Sequence, residues 1–206
     1  SYIKLLKAQI DRYLQNPGRE VQTVAESSFD AWVKFYRQDE NSNNAGTSYY
    51  NKGCLVALCL DLGLRLRGSS LDELMRKLYE NAQNGIQVNE RTIYELANDL
   101  TGDDWSEQIN HLINTTDELP LDQLFPEFGL SYTLNHDKSL PFGLKLADKP
   151  EGVLIQSARR DGSGVLAGLS ANDVIVAIDG LKATAKLVEK YTKQDGTYVV
   201  YAFRRD

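Results

Sequence analysis

Histidine is nearly missing from this 206-residue chain, which holds two, together with two cysteines, one methionine and no surplus of basic residues. Each scarcity excludes something. His111 and His136 stand far apart, so no pair of imidazoles can share one helix face at metal-ligand spacing. Lys and Arg number 23 against 29 Asp and Glu, a net charge of -6, and no basic cluster marks a nucleic-acid or anionic-membrane surface. No apolar run approaches the ~20 residues of a membrane span. The opening SYIKLLKAQIDRYLQ interleaves Lys4, Lys7, Asp11 and Arg12 with Leu5, Leu6, Ile10 and Leu14, unlike the unbroken apolar stretch of a secretion signal. Cys54 and Cys59 sit five apart in one helical segment, which sets their Cα atoms beyond the ~7 Å reach of a disulfide, and both read as reduced core residues. The chain begins with Ser1 in place of methionine, as expected of a piece of a longer polypeptide.

What is present describes a globular chain. Hydrophobic residues make up 42% and charged residues 25%, enough for one sizeable core or two smaller ones, and two domains are expected. With anionic partners excluded, a peptide or small molecule is the expected ligand. Residues 1–120 carry helical periodicity. Asn16-Pro17-Gly18 breaks the first helix, and Ser27-Ser28 precede FDAWVKFYRQ, where Phe29, Trp32, Val33 and Tyr36 fall on one face that should be buried. Ser70 and Glu73 form a capping-box pattern before Leu71, Leu74, Met75 and Leu78. Asn89 can cap a helix buried through Ile93, Leu96, Ala97 and Leu100 and stopped by Gly102, and Asp104 with Glu107 can open the last one. The whole is an all-α subdomain. Residues 121–206 change grammar: short β-type runs at 130–134, 143–146, 153–157, 174–178 and 197–203 alternate with Pro, Gly and Asp turns, and one helix at 183–191 interrupts them.

PFGLKL at 141–146 and EGVLIQSARRDGSGVLAGLSANDVIVAIDG at 151–180 resemble a PDZ domain of the kind found in bacterial proteases. The resemblance implies a module that adds an extended peptide to a sheet edge and takes a terminal carboxylate on loop N–H groups. It implies Phe142, Gly143 and Leu144 as loop donors, and Leu187 on the 183–191 helix facing Phe142 and Leu144 across an apolar pocket. Pro141 stands where the family has a glycine and has no N–H to give. Gly164, Gly168, Asp173 and Val174 are assigned to fold geometry.

In the first half, Tyr50-Asn51-Lys52-Gly53 opens an apolar helical run, and GREVQTVAESSFDAWVKFY, SYYNKGCLVALCLDLGLRLR, SLDELMRKLY and TTDELPLDQLFPEFGLSY resemble the C-terminal part of the glycyl aminopeptidase family. Its members are zinc metallopeptidases with a thermolysin-like catalytic domain followed by a PDZ domain. The resemblance implies hydrolysis of small, Gly- or Ala-like N-terminal residues from peptides, with Tyr50 donating a hydrogen bond to the developing oxyanion; the doubled tyrosine leaves Tyr49 as the alternative. Residue type alone favours a plainer role, since a tyrosine heading a core helix is ordinarily an amphipathic cap. Lys52 is expected to be structural, paired with a carboxylate or snorkelling to water.

The H-E-x-x-H zinc motif is not in the sequence, so zinc ligands and general base would lie before Ser1, and this piece alone should be inactive. His111 and His136 are expected to be non-ligands. A different function fits the same residues: a peptide-binding module on a helical scaffold with no catalytic role. Two cysteines do not decide between bacterial cytoplasm and periplasm.

Overall fold

The computed structural model describes residues 2–131 and 140–204. The chain divides into two units that exchange segments: Ser1–Leu14, Gln22–Ala31 and Thr47–Leu134 form one, and Gln15–Val21, Trp32–Gly46 and Asn135–Asp206 form the other.

The first unit is helical. Its helices are α1 (Tyr2–Leu14), α2 (Val24–Phe29), and, beyond a short α3 (Ser42–Ala45) that belongs to the second unit, α4 (Tyr49–Arg65), α5 (Leu71–Gln83), α6 (Thr92–Thr101), α7 (Ser106–Asn114) and α8 (Leu121–Glu127). The central helix α4 serves two cores from opposite sides. Leu55, Cys59 and Leu62 pack with Ile10 and Tyr13 of α1, Leu112 of α7 and Leu121, Leu124 and Phe125 of α8. Leu60 and Leu64 pack with Leu74, Leu96, Ala97, Trp105 and Ile109. Gly63 lets the Trp105 ring close on α4, since a Cβ there would lie 2.8 Å from Cη2. α8 therefore completes the helical core, and the helical unit runs past the boundary expected at residue 120.

Several sequence expectations are corrected by the backbone. Thr23 and Glu26, not Ser27 and Ser28, start α2, with both halves of a capping box formed. α-Helix ends at Asp30 and Ala31–Phe35 is a wider π-type turn, so the face drawn through Phe29, Trp32, Val33 and Tyr36 loses its phase. All four side chains are exposed, Phe29 by 90% and Trp32 by 78%, with Trp32 stacked on Tyr36 at 5.0 Å between centroids. At α5 only half the expected box forms: Glu73 N–H donates to Ser70 Oγ, whereas the Glu73 carboxylate accepts from Ser69 Oγ. Met75 is exposed, and Leu74 carries the burial there. α6 ends as expected on Gly102, in the left-handed region at φ 78°.

The second unit is built on an antiparallel sheet, with β1 (Leu144–Lys149), β2 (Gly152–Ala158), β3 (Val174–Ile178) and β4 (Leu181–Lys182) in order and β5 (Val200–Phe203) on the other side of β3. Four of the five expected β-type runs are strands; the 130–134 run lies mostly outside the described residues, and Leu130 and Ser131 are not strand. The α9 turn (Ser163–Leu166) and α10 (Ala185–Thr192) complete the unit around a core of Leu144, Val153, Ile155, Ile175 and Ala183. Residues 15–21 and 32–46 close on each other, Gly18 facing Gly46 so tightly that a Cβ would fall 2.0 Å from the Gly46 carbonyl oxygen, and they join the sheet unit through hydrogen bonds of Asn44 and Arg160.

Candidate functional site

Two places carry the residues singled out by the sequence, one in each unit. The first is the head of α4. Ser48 caps the helix, its Oγ accepting from Asn51 N–H at 3.2 Å. Asn51 turns inward and its Nδ2 donates to the backbone carbonyl and Oε1 of Gln9, at 3.1 and 2.9 Å, which fastens α4 to α1. Lys52 also turns inward. It is wholly buried and its Nζ donates to the Thr115 carbonyl at 3.3 Å, so it does not snorkel to water as one reading expected. With these two side chains spent on anchoring, the tyrosines occupy other faces of the first turn. Tyr50 is 61% exposed and Tyr49 is half-buried, their rings 4.3 Å apart and inclined by 31°. Tyr50 thus stands outside packed hydrocarbon, at the positive dipole end of a helix, a setting that lowers the cost of negative charge.

The residues here do not fit a zinc ion. Among the described residues no group of three or more His, Cys, Asp or Glu could hold a metal. His111 is exposed, its Nε2 3.4 Å from Asp117, and His136 lies outside the described residues. Cys54 is exposed, contrary to the expectation of a core residue, whereas Cys59 is buried and its thiol is pushed up to about 12 by desolvation. Cys59 therefore lacks the lowered pKa of a nucleophile or ligand.

The second place is the loop 140–144 with β1 and α10. Among the described residues β1 pairs on one side only, with β2. α10 is tied to β1 at its start, where Asp148 Oδ1 accepts from Ala185 N–H at 2.8 Å, and Thr184 Oγ1 caps the helix by accepting from Leu187 N–H. Leu187 and Phe142 are half-buried. Leu144 is not a pocket wall: it is fully buried in the sheet core, packed where a Cβ on Gly164 would lie 2.8 Å from its Cδ2. The fold-geometry role assigned to Gly164 has that physical cause.

The loop itself is tightly wound. Phe142 sits in the left-handed region at φ 55°, which costs a non-glycine residue about 1–3 kcal/mol. Gly143 follows at φ 77°, with room for no Cβ, since one would meet the Gly162 Cα at 2.7 Å. Gly143 N–H already donates to the Leu140 carbonyl at 3.0 Å, so of the three donors expected in this loop one is committed internally. Arg159 adjoins the loop: its N–H donates to the Gly143 carbonyl, while its guanidinium pairs with Asp161 at 3.0 and 2.6 Å and holds that carboxyl below its ordinary range.

Sequence reasoning did not find two features of this place. Tyr198 stands edge-on to Tyr191 at 4.7 Å and 6.3 Å from Phe142, forming an aromatic group at the loop end of α10. Tyr191 was readable, four residues after Leu187 on the same helix face; Tyr198 reaches it from an irregular segment with no periodicity. Asn44 and Arg160 join the segments 32–46 and 15–21 to β2, and no local pattern announces contacts between residues so distant in sequence.

Residues 1–56 match the family model of the M61 glycyl aminopeptidases. The match extends into α4 and takes in Tyr49, Tyr50, Asn51 and Lys52. A solved structure of an aminopeptidase N family protein from Idiomarina loihiensis has a TM-score of 0.82 and 33% identity to this chain, over 96% of it. The chain spans 37% of the length of that relative. Among curated proteins nothing matches. Both likenesses are to aminopeptidase families, and at this identity the second concerns sequence as well as fold.

Proposed function

We propose that this chain is the C-terminal portion of a zinc-dependent aminopeptidase that removes small, Gly- or Ala-like N-terminal residues from peptides. The observation that carries the reading is the 33% identity over 96% of the chain to an aminopeptidase N family protein, with the M61 match over residues 1–56 pointing the same way. In this reading zinc is held by residues of a longer polypeptide, and the chain's own contribution is the head of α4. Tyr50 Oη donates to the oxygen that gains charge when a peptide carbonyl is attacked; the helix N-terminus adds a favourable field, and Asn51 and Lys52 keep the turn rigid. Tyr49 is the alternative donor. The exposure of Tyr50 supports this assignment, because a phenol sunk in the core could not meet a substrate.

The test is metal analysis and peptidase assay of the longer polypeptide. Stoichiometric zinc, and release of N-terminal Gly or Ala that stops on chelation and returns with zinc, are expected; full activity of the stripped protein would refute the reading. The 206-residue chain alone should be inactive.

A second activity, compatible with the first, is favoured by the pairing of α10 with the edge strand β1 through Asp148. The sheet unit, read as a PDZ domain, would take a peptide strand along β1, with Leu187 and Phe142 against its side chains. That module would position substrate or regulate access.

A further inference from the structure

We infer that the groove between β1 and α10 takes an internal strand of a polypeptide and does not require a free C-terminus. The inference rests on reading this place as a peptide groove. A C-terminus reader needs several convergent N–H donors, because a carboxylate taken out of water without them is strongly penalised. Of the three N–H groups expected to converge in this loop, that of Gly143 is spent on the Leu140 carbonyl at 3.0 Å, which leaves those of Phe142 and Leu144, and proline at position 141 can add no further donor. The cation rooted against the loop, Arg159, is already neutralised by a two-pronged contact with Asp161.

The same end of the groove offers apolar surface. Phe142, Tyr191 and Tyr198 are half-buried and stand together, Tyr198 fixed by its hydroxyl donating to the Gln194 carbonyl at 2.8 Å. A carboxylate arriving there would lose water against aromatic rings. A continuing chain would instead lay an apolar or aromatic side chain on them, while its backbone pairs with β1, whose partner among the described residues is β2 alone. The ligand class is therefore an extended, apolar or aromatic-rich internal segment of the kind exposed by an unfolded protein.

The experiment is calorimetric titration of the full 206-residue chain with one apolar peptide in three forms: free acid, C-terminal amide, and the same residues set in the middle of a longer peptide blocked at both ends. The expected result is three dissociation constants within about twofold of one another, all lost with Leu187→Lys. A free acid binding roughly tenfold tighter than its amide, the minimum that charge-assisted hydrogen bonds to a carboxylate confer, would overturn the inference while leaving the groove in place. Binding of none of the three forms would overturn the groove reading and the inference with it.

Discussion

The side-chain amide of Asn44 accepts the Arg160 backbone N–H at 2.9 Å and donates to the carbonyl of Ala158 at 2.7 Å, standing in for a neighbouring strand at the end of β2. Between them, Arg159 N–H turns the other way to the Gly143 carbonyl. Three consecutive residues are thus gripped from both edges, by the candidate peptide loop on one side and a segment from the first quarter of the chain on the other. Arg160 Nη2 adds contacts to the Pro17 carbonyl and Glu20, at 3.0 and 2.6 Å.

Asn44→Ala removes both bonds and leaves a backbone donor and acceptor without their partner, at a cost of about 1–3 kcal/mol to the second unit. Urea unfolding of the full chain measures it, and hydrogen exchange at Arg160 should lose protection. A segment starting at residue 121 lacks Asn44, Pro17 and Glu20 and should be less stable still.

Gly164→Ala pushes a Cβ into contact with three atoms of Leu144 at 2.8 to 3.0 Å, and Leu144, fully buried, has little room to retreat. Overpacking of this kind costs about 1–3 kcal/mol, so a lowered thermal midpoint is expected; an unchanged one would mean that the core is looser than its contacts indicate.

Lys52 is anchored through both its stem and its ammonium. Lys52→Ala removes the packing and should cost about 2–4 kcal/mol, whereas Lys52→Met keeps the stem and should cost less. Thermal unfolding of the two variants distinguishes them, and equal losses would assign the effect to the charge alone.

The two thiols should behave differently. Alkylation of the native chain near pH 8 is expected to label Cys54 alone, because Cys59 is buried and its thiol, pushed up to about 12, stays protonated. Since folding favours the neutral thiol, Cys59 contributes stability that is whole below the ordinary thiol range and is lost as pH rises toward about 12. Cys59→Ala should flatten this alkaline limb. Two adducts under native conditions would contradict the assignment.

Much of this architecture was legible in the sequence where a local cause suffices. Gly102 ends α6 because its conformation is left-handed, and the β-type runs at 153–157 and 174–178 became β2 and β3, with Val153, Ile155 and Ile175 buried in one core. The failures have physical causes as well. A 3.6-residue period was drawn through Phe29 to Tyr36, but the chain leaves α-helix at Asp30, and the apolar spacing no longer corresponds to a face. Leu144 looked like a groove residue from its place in PFGL, yet strand alternation points it into the sheet core. At the candidate site, Tyr50 is singled out by the resemblance its neighbours carry, while the Asn51 contact with Gln9 and the grip of Asn44 depend on tertiary approach that no window of sequence contains.

The central claim concerns one hydroxyl, and the steady-state kinetics of Tyr50→Phe in the zinc-loaded longer polypeptide test it most directly. A donor acting on the transition state predicts kcat reduced by on the order of 10² to 10³ with KM little changed, while Tyr49→Phe stays close to the parent. An unchanged kcat for Tyr50→Phe, or a loss confined to KM, would contradict the account.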